Sequence, residues 1–419
     1  MTEQHALNKE KLWNKNFFLL WQGQLVSSLG DVAYNIALGF WILKTTGSTA
    51  LMGSLMAASV LPRVLISPFA GVLADRSNRK NILVIMDLIR GVSIVFVGIA
   101  AFLGFIKIWM VFLAAIILGI CGAFFNPAAS SSIPDIVPKS KLMKANSVYG
   151  IAYTGTNILG NIAGGSLYVL LGAPLMFLFN GISYIISSFT EIFIKIPKIE
   201  KQNNQIHFLT DMKDGFKFVW EFKGLRYIIS IAAFINFFGN MGFILLLPLF
   251  ERTSWLGPEK YGFVMGIMAA GSLAGMIFTS VKEIAPSKRL FLFVFCGTIS
   301  STTTALFILI KNLPVICILL FISGFMNAIV NIFFGASVQL TVPQNMRGKV
   351  SSLLSTVLQG LTPIAMALGG VLAEFIPIRI ILFTCFIVDA LIFLPFAFNQ
   401  PFKKFINFNP ETQTLEDII

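Results

Sequence analysis

The sequence predicts an all-α membrane protein, with twelve transmembrane helices in two pseudo-repeated six-helix bundles. Three observations point there. Of 419 residues, 56% are apolar and only 12% are charged, whereas a water-facing domain carries roughly 25% charge. The apolar residues fall into windows of about twenty, enough to cross ~30 Å of hydrocarbon as helix. Basic residues collect on one set of alternating connections, the topological signature of a multi-pass chain.

In chain order the first window, 17–44, is too long for the apolar part of a signal peptide and lacks a small-residue cleavage site, so it reads as a span. Spans 50–74 and 81–104 flank the charged run ending at Lys80, and 108–133, 146–171 and 175–195 complete the first six. The charged stretch 196–224 follows. Spans 225–250, 260–281, 290–310, 315–337, 351–376 and 379–399 make the second six, each bounded by charged residues or Pro and Gly breaks. The expected organisation is a bundle over 1–195, a linker over 196–224, and a bundle with C-terminal tail over 225–419. Within the linker, Leu209, Met212, Phe216 and Val219 recur at helical spacing, which suits a short helix on the membrane surface or a solvated linker.

The side holding the N-terminus carries 23 Lys and Arg residues against 6 on the other. This puts both termini and the linker in the cytoplasm of a bacterial cell membrane. The net charge of +12 therefore reports topology, and no nucleic-acid partner is expected. Cys121, Cys296, Cys317 and Cys385 lie inside apolar runs without metal or disulfide spacing, and His5 and His207 are far from them. No Walker loop is present, since Gly348-Lys349 has Pro343 where the first glycine belongs. No metal, cofactor or enzymatic activity is expected.

The two halves share a register. Moving 205 residues along the chain carries Asn126 onto Asn331, Val137-Pro138 onto Val342-Pro343, and Gly164-Gly165 onto Gly369-Gly370; near the start of each half a shift of 209 carries Gly30-Asp31 onto Gly239-Asn240. Parallel repeats joined by a linker are a secondary-transporter design, with the substrate site near mid-membrane.

The stretch Gly71-Val-Leu-Ala-Asp75-Arg76-Ser-Asn-Arg79-Lys80 resembles the signature loop of the major facilitator superfamily, with Asn78 where that family prefers Gly. Trp21-Gln-Gly-Gln24, Ser28-Leu-Gly30-Asp31 and Asp87-Leu-Ile-Arg90 are similar to the subgroup of macrolide-efflux and enterobactin-exporter proteins. The fifth span's Gly160-Asn161-Ile-Ala-Gly164-Gly165 resembles an antiporter motif, with Asn161 in place of Pro. The resemblance implies the major facilitator fold, an exporter driven by an ion gradient, and a cavity lined by the first, fourth, seventh and tenth helices. It also implies a conformational latch at Gly71, Asp75, Arg76, Arg79 and Lys80.

The candidate site residues are polar groups inside apolar spans. Gln24, Ser28, Asp31 and Asn35 follow at steps of four, three and four, which aligns them on one helical stripe. Asn236 and Asn240 form a pair on the seventh span, Asn327 and Asn331 another on the tenth, and the fourth contributes Asn126. Helix-to-helix hydrogen bonding is the alternative role for each amide. Asp31 and Arg63 each lie sixteen residues from Gly47, about 24 Å along their helices, so equal depth predicts that they pair. A carboxylate alternating between a cation and a desolvated cavity can exchange a proton. Asp31, Arg63, Asp87 and Arg90 could equally form a buried structural network. Asp389 falls outside the cavity stripes, with no partner evident, and Glu191 and Glu374 lie near span ends where they can snorkel. The expected partners are membrane lipids, protons and a small hydrophobic or amphipathic cargo such as a drug, macrolide or siderophore-like compound, handled by a monomer. A flippase for lysophospholipid or lipid-linked substrates, or a non-transporting receptor or scaffold, are the rival functions.

Overall fold

In a computed structural model, placement is described for residues 11–196, 208–282, 284–343, 346–410 and 413. His5 and His207 lie outside these. The described chain is helical: α1 Lys15–Thr46, α2 Thr49–Arg76, α3 Arg79–Phe102, α4 Ile108–Ile136, α5 Leu142–Glu191, α6 Phe208–Glu221, α7 Lys223–Arg252, α8 Pro258–Val281, α9 Pro286–Phe307, α10 Leu313–Thr341, α11 Arg347–Gly360, α12 Thr362–Phe375, α13 Ile378–Phe393 and α14 Gln400–Ile406. Eleven stretches among the described residues are long and apolar enough to span a bilayer.

The count of eleven is reconciled with the expected twelve by α5. Its 50 residues would extend about 75 Å if straight, far more than a bilayer needs. Gly172, at φ 73°, breaks it ahead of Pro174. The positive φ is open to glycine at little cost, and proline cannot continue the preceding hydrogen-bond ladder. Two spans therefore lie within one element, giving the twelve of the sequence reading. The eleventh span is likewise divided at Leu361 into α11 and α12.

The chain divides into two compact units. One comprises the described residues of Met1–Gly47, Leu55–Gln205 and Leu256–Phe263; the other, those of Ser48–Ser54, Ile206–Trp255 and Val264–Ile419. In the first unit α1 and α3 both pack along α5, and α3 also packs on α4. Its apolar core gathers Phe17, Leu20, Leu83, Phe125, Ile133 and Ile194, and Asn14 both caps α1 through Phe17 N and donates to Ile136 O at 2.7 Å.

In the second unit α7 packs on α12 and α13, and α9 on α10 and α13. A phenylalanine cluster made by Phe222, Phe293, Phe393, Phe396, Phe402 and Phe405 fills its core. The linker's helical spacing is realised in α6, where Val219 is buried in that cluster and Phe216 is exposed. The side chains of Leu209 and Met212 lie outside the described set.

Glu374 is exposed at its span end, as expected, and is also anchored. Its Oε1 accepts from Ser48 Oγ at 2.7 Å, Thr49 Oγ1 at 3.1 Å and Ala50 N at 2.9 Å, supplying an anion to the start of α2 where unpaired N–H groups favour one. Glu191, by contrast, does not snorkel. It is 1% exposed, because α5 runs it inward beside Ser187, whose Oγ lies 3.5 Å away.

Candidate functional site

Asp31 on α1 faces the second part of α5. Tyr184 donates its hydroxyl to Asp31 Oδ1 at 2.5 Å, and Asn180 Nδ2 approaches the same oxygen at 3.5 Å. The two donors are four residues apart and so share one helical face. Gly30 makes the approach possible: a Cβ there would lie 2.5 Å from Asn180 Oδ1 and 3.1 Å from Asn180 Cα.

A second charged pair adjoins the first group. Arg90 Nη1 lies 3.2 Å from Asp87 Oδ1 within α3, and both residues are buried. The guanidinium carbon sits 5.2 Å from the centroid of the Tyr184 ring and 4.5 Å from that of Phe125. Aromatic faces attract a desolvated cation in this geometry. Tyr184 thus touches Asp31 through its hydroxyl and Arg90 through its ring, joining two carboxylates and a guanidinium into one cluster. Opposite charges compensate for part of the several kcal/mol needed to dehydrate each ion. Further along α1, Gln24 donates to Ser28 Oγ at 2.7 Å and accepts from Tyr149 at 2.9 Å.

The expected pairing of Asp31 with Arg63 is corrected. Among the described residues no ion pair joins them. Arg63 is exposed, and its stem lies near Gly122 on α4. Equal depth does not fix azimuth; Asp31 points to α5. Asn35 and Asn126 are exposed. Neither is enclosed with the buried Asp87–Arg90 pair.

In the signature segment, Arg79 donates to Ser131 O at 2.7 Å and pairs with Asp135. Asn78 caps α3 by accepting from Asn81 N, a role that suits Asn where the family prefers Gly. Gly71 has open space where a Cβ would be, and Lys80 is half-buried. The Asp75 and Arg76 side chains lie outside the described set.

In the second unit, Asn236 and Asn240 of α7 and Asn327 and Asn331 of α10 line a cavity of about 500 Å³. Asn240 donates back to Asn236 O at 2.7 Å, and Asn331 donates to Asn327 Oδ1 at 2.9 Å. Sequence reasoning had missed the hydroxyl cluster on its wall, in which Ser323 lies 3.2 Å from Ser300 and 2.6 Å from Thr304. It had also set Asp389 outside the cavity, and this is corrected: Asp389 lines it, 4% exposed. α13 turns it toward α7, where a Cβ on Gly239 would lie 3.4 Å from Asp389 Oδ2.

With buried charge in one unit and a polar cavity in the other, comparison with known proteins becomes informative. Residues 20–365 match the Major Facilitator Superfamily. The chain belongs to that family. As a Major Facilitator Superfamily protein it is a multi-pass membrane transporter and not an enzyme. It is 25% identical over 404 residues to macrolide efflux protein A of Streptococcus pyogenes, covering 89% of this chain and 93% of that one. It is also 25% identical over 362 residues to the multidrug efflux pump Tap of Mycolicibacterium fortuitum, covering 84% and 87%.

Two solved structures share the superfamily fold at 15% identity. A bacterial homologue of the iron transporter ferroportin, in an inward-facing state, aligns at TM-score 0.70 over 91% of this chain and 98% of that one. A bacterial homologue of the human lysosomal transporter Spinster aligns at 0.66 over 94% and 99%.

Proposed function

We infer that the protein is a secondary exporter of hydrophobic or amphipathic compounds, exchanging its cargo for protons across a bacterial cell membrane. The observation that carries this reading is the chain of contacts from half-buried Asp31 through Tyr184 to buried Arg90 and Asp87. Ionised, Asp31 holds Tyr184 and Asn180 by hydrogen bonds to a charged acceptor, which are shorter and stronger than neutral ones. A proton on Asp31 removes that charge, weakens both bonds and loosens α1 from α5. A conformational change driven by protonation needs such a differential interaction between two states.

In this reading residues 1–195 and 225–419 act as two bundles joined by 196–224, both termini are cytoplasmic, and a single copy suffices. Asp75 acts with Gly71, Arg76, Arg79 and Lys80 as a latch between conformations, so Asp75→Asn sharply reduces transport and leaves membrane insertion intact. Export is supported by the names of the efflux relatives. Cargo that is large and partly apolar is supported by the mixed amide and aromatic lining of the second-unit cavity.

The test is transport in proteoliposomes, with and without an imposed pH gradient, against a panel of macrolides, dyes, siderophores and lysolipids. Movement of at least one macrolide, dye or siderophore that accelerates with the gradient is the expected result. Transport of lysolipid alone, or indifference to the gradient, would overturn it.

A further inference from the structure

The shift of 209 residues that aligns Gly30-Asp31 with Gly239-Asn240 also relates side-chain contacts. In the first unit Tyr34 meets Phe177 with ring centroids 5.2 Å apart; in the second, Phe243 meets Phe386 at 5.6 Å, and both partners are displaced by that same shift. Gly30 faces Asn180, and Gly239 faces Asp389, again in register. The two units therefore carry the same acid and amide on opposite helices. The first has Asp31 on α1 and Asn180 on α5, and the second has Asn240 on α7 and Asp389 on α13.

The surroundings of the carboxylate changed with its position. Tyr184 and Ser187, which lie beside the first unit's carboxylates, correspond to Phe393 and Phe396, so hydroxyl donors have become rings. Asp389 Oδ1 consequently has no hydrogen-bond partner among the described residues, though the residue is 4% exposed. Its amide counterpart does not rescue it, because Asn240 Nδ2 donates to Asn236 O. Asp389 is also the one ionisable side chain among the described residues lining the cavity of about 500 Å³.

We propose that Asp389 is the counter-ion of a monocation site in this cavity, and that its occupant is the cationic nitrogen of an amphipathic organic molecule. An ionised carboxylate in a membrane span is stabilised by a partner of opposite charge. The cavity provides the rest of the recognition chemistry for such a molecule. Asn327, Asn331 and Ser301 offer oxygen acceptors, while Phe243, Phe334 and Phe386 offer aromatic faces, which hold organic cations by their quadrupoles. The volume falls within the ~300–1,000 Å³ of pockets that take drug-sized ligands. The rings occupy lining that an inorganic cation would need as further converging oxygens, and this favours an organic cation. The proposal rests on the exporter reading and narrows its cargo.

The test is equilibrium binding to purified full-length protein in lipid nanodiscs, using ethidium as the permanent cation and uncharged dihydroethidium as its counterpart. Wild type is expected to prefer ethidium by about tenfold or more. Asp389→Asn should lose that preference while keeping dihydroethidium affinity within about twofold, and Asp389→Glu should keep it. Binding of ethidium by Asp389→Asn as tightly as by wild type would overturn the proposal, as would an equal loss of both ligands or a wild type without preference. Should Asp389→Asn fail to fold, wild type decides: dicyclohexylcarbodiimide labelling at Asp389, located by mass spectrometry, should be slowed by ethidium and not by dihydroethidium. Labelling unaffected by ethidium would overturn the site. Because binding needs neither gradient nor turnover, a failed site with intact transport of neutral cargo is distinguishable from a failed exporter reading.

Discussion

Asp31 lies among two donors from α5 and close to the buried Asp87–Arg90 pair, whereas Asp389, its counterpart by exchange in the second unit, borders a cavity with one oxygen unmatched. The same repeat thus holds one carboxylate near a buried cation and another without one, against open space. A carboxylate already near a cation changes its contacts when its own charge changes, which suits a proton. One without a cation changes them when something enters, which suits cargo. In the proposed reading energy coupling and recognition fall to different units, and the substitutions that follow test that division.

The largest effect is expected from Arg90→Ala. It leaves Asp87 buried without its cation and should lower unfolding stability in detergent by roughly 3–5 kcal/mol, read as early loss of the monodisperse peak on heating. The contrasting change, Asp389→Asn, removes an acid without a charged partner and should be neutral or stabilising in the same assay. Equal destabilisation by the two would erase the distinction between a carboxylate with a cation and one without.

Tyr184→Phe comes next. Loss of a hydrogen bond to a charged group is worth about 1.5–3 kcal/mol, and thermal unfolding should show it, because Tyr184 supplies the hydroxyl hydrogen bond to Asp31. The glycines then sharpen the comparison at equivalent positions. Gly30→Ala forces Asn180 aside and should destabilise by about 1–3 kcal/mol, while Gly239→Ala, with its Cβ at an ordinary distance from Asp389, should change the unfolding temperature little. Arg63→Ala is expected to have the smallest effect, within about 0.5 kcal/mol, since Arg63 is exposed. A large loss there would restore the pairing with Asp31 that the structure does not contain.

Much of this was legible in the sequence. Hydrophobic windows and breaks yielded the spans, including the division at Gly172 that one long helix conceals. The four-residue spacing of Asn236 and Asn240, and of Asn327 and Asn331, put each pair on one helical face, and the cavity gathers all four. Arg63 shows the limit of such reasoning. Counting from a turn gives depth along a helix, but successive residues rotate by about 100°, and only packing decides which neighbour a side chain meets. Tyr184 and Asn180 were missed because their span carries no periodic stripe of charge. Asp389 was misplaced for want of extending the register; the shift that maps Asp31 to Asn240 also maps Asn180 to Asp389 and could have found it.

The measurement that bears most directly on the division of labour is transport by Asp31→Asn in proteoliposomes, assayed both as counterflow and as accumulation driven by a pH gradient. The account predicts that the variant exchanges cargo at equilibrium, because the second-unit cavity is untouched, yet no longer accumulates it against a concentration difference. Full gradient-driven accumulation by Asp31→Asn would contradict it and leave the Asp31 cluster a structural network.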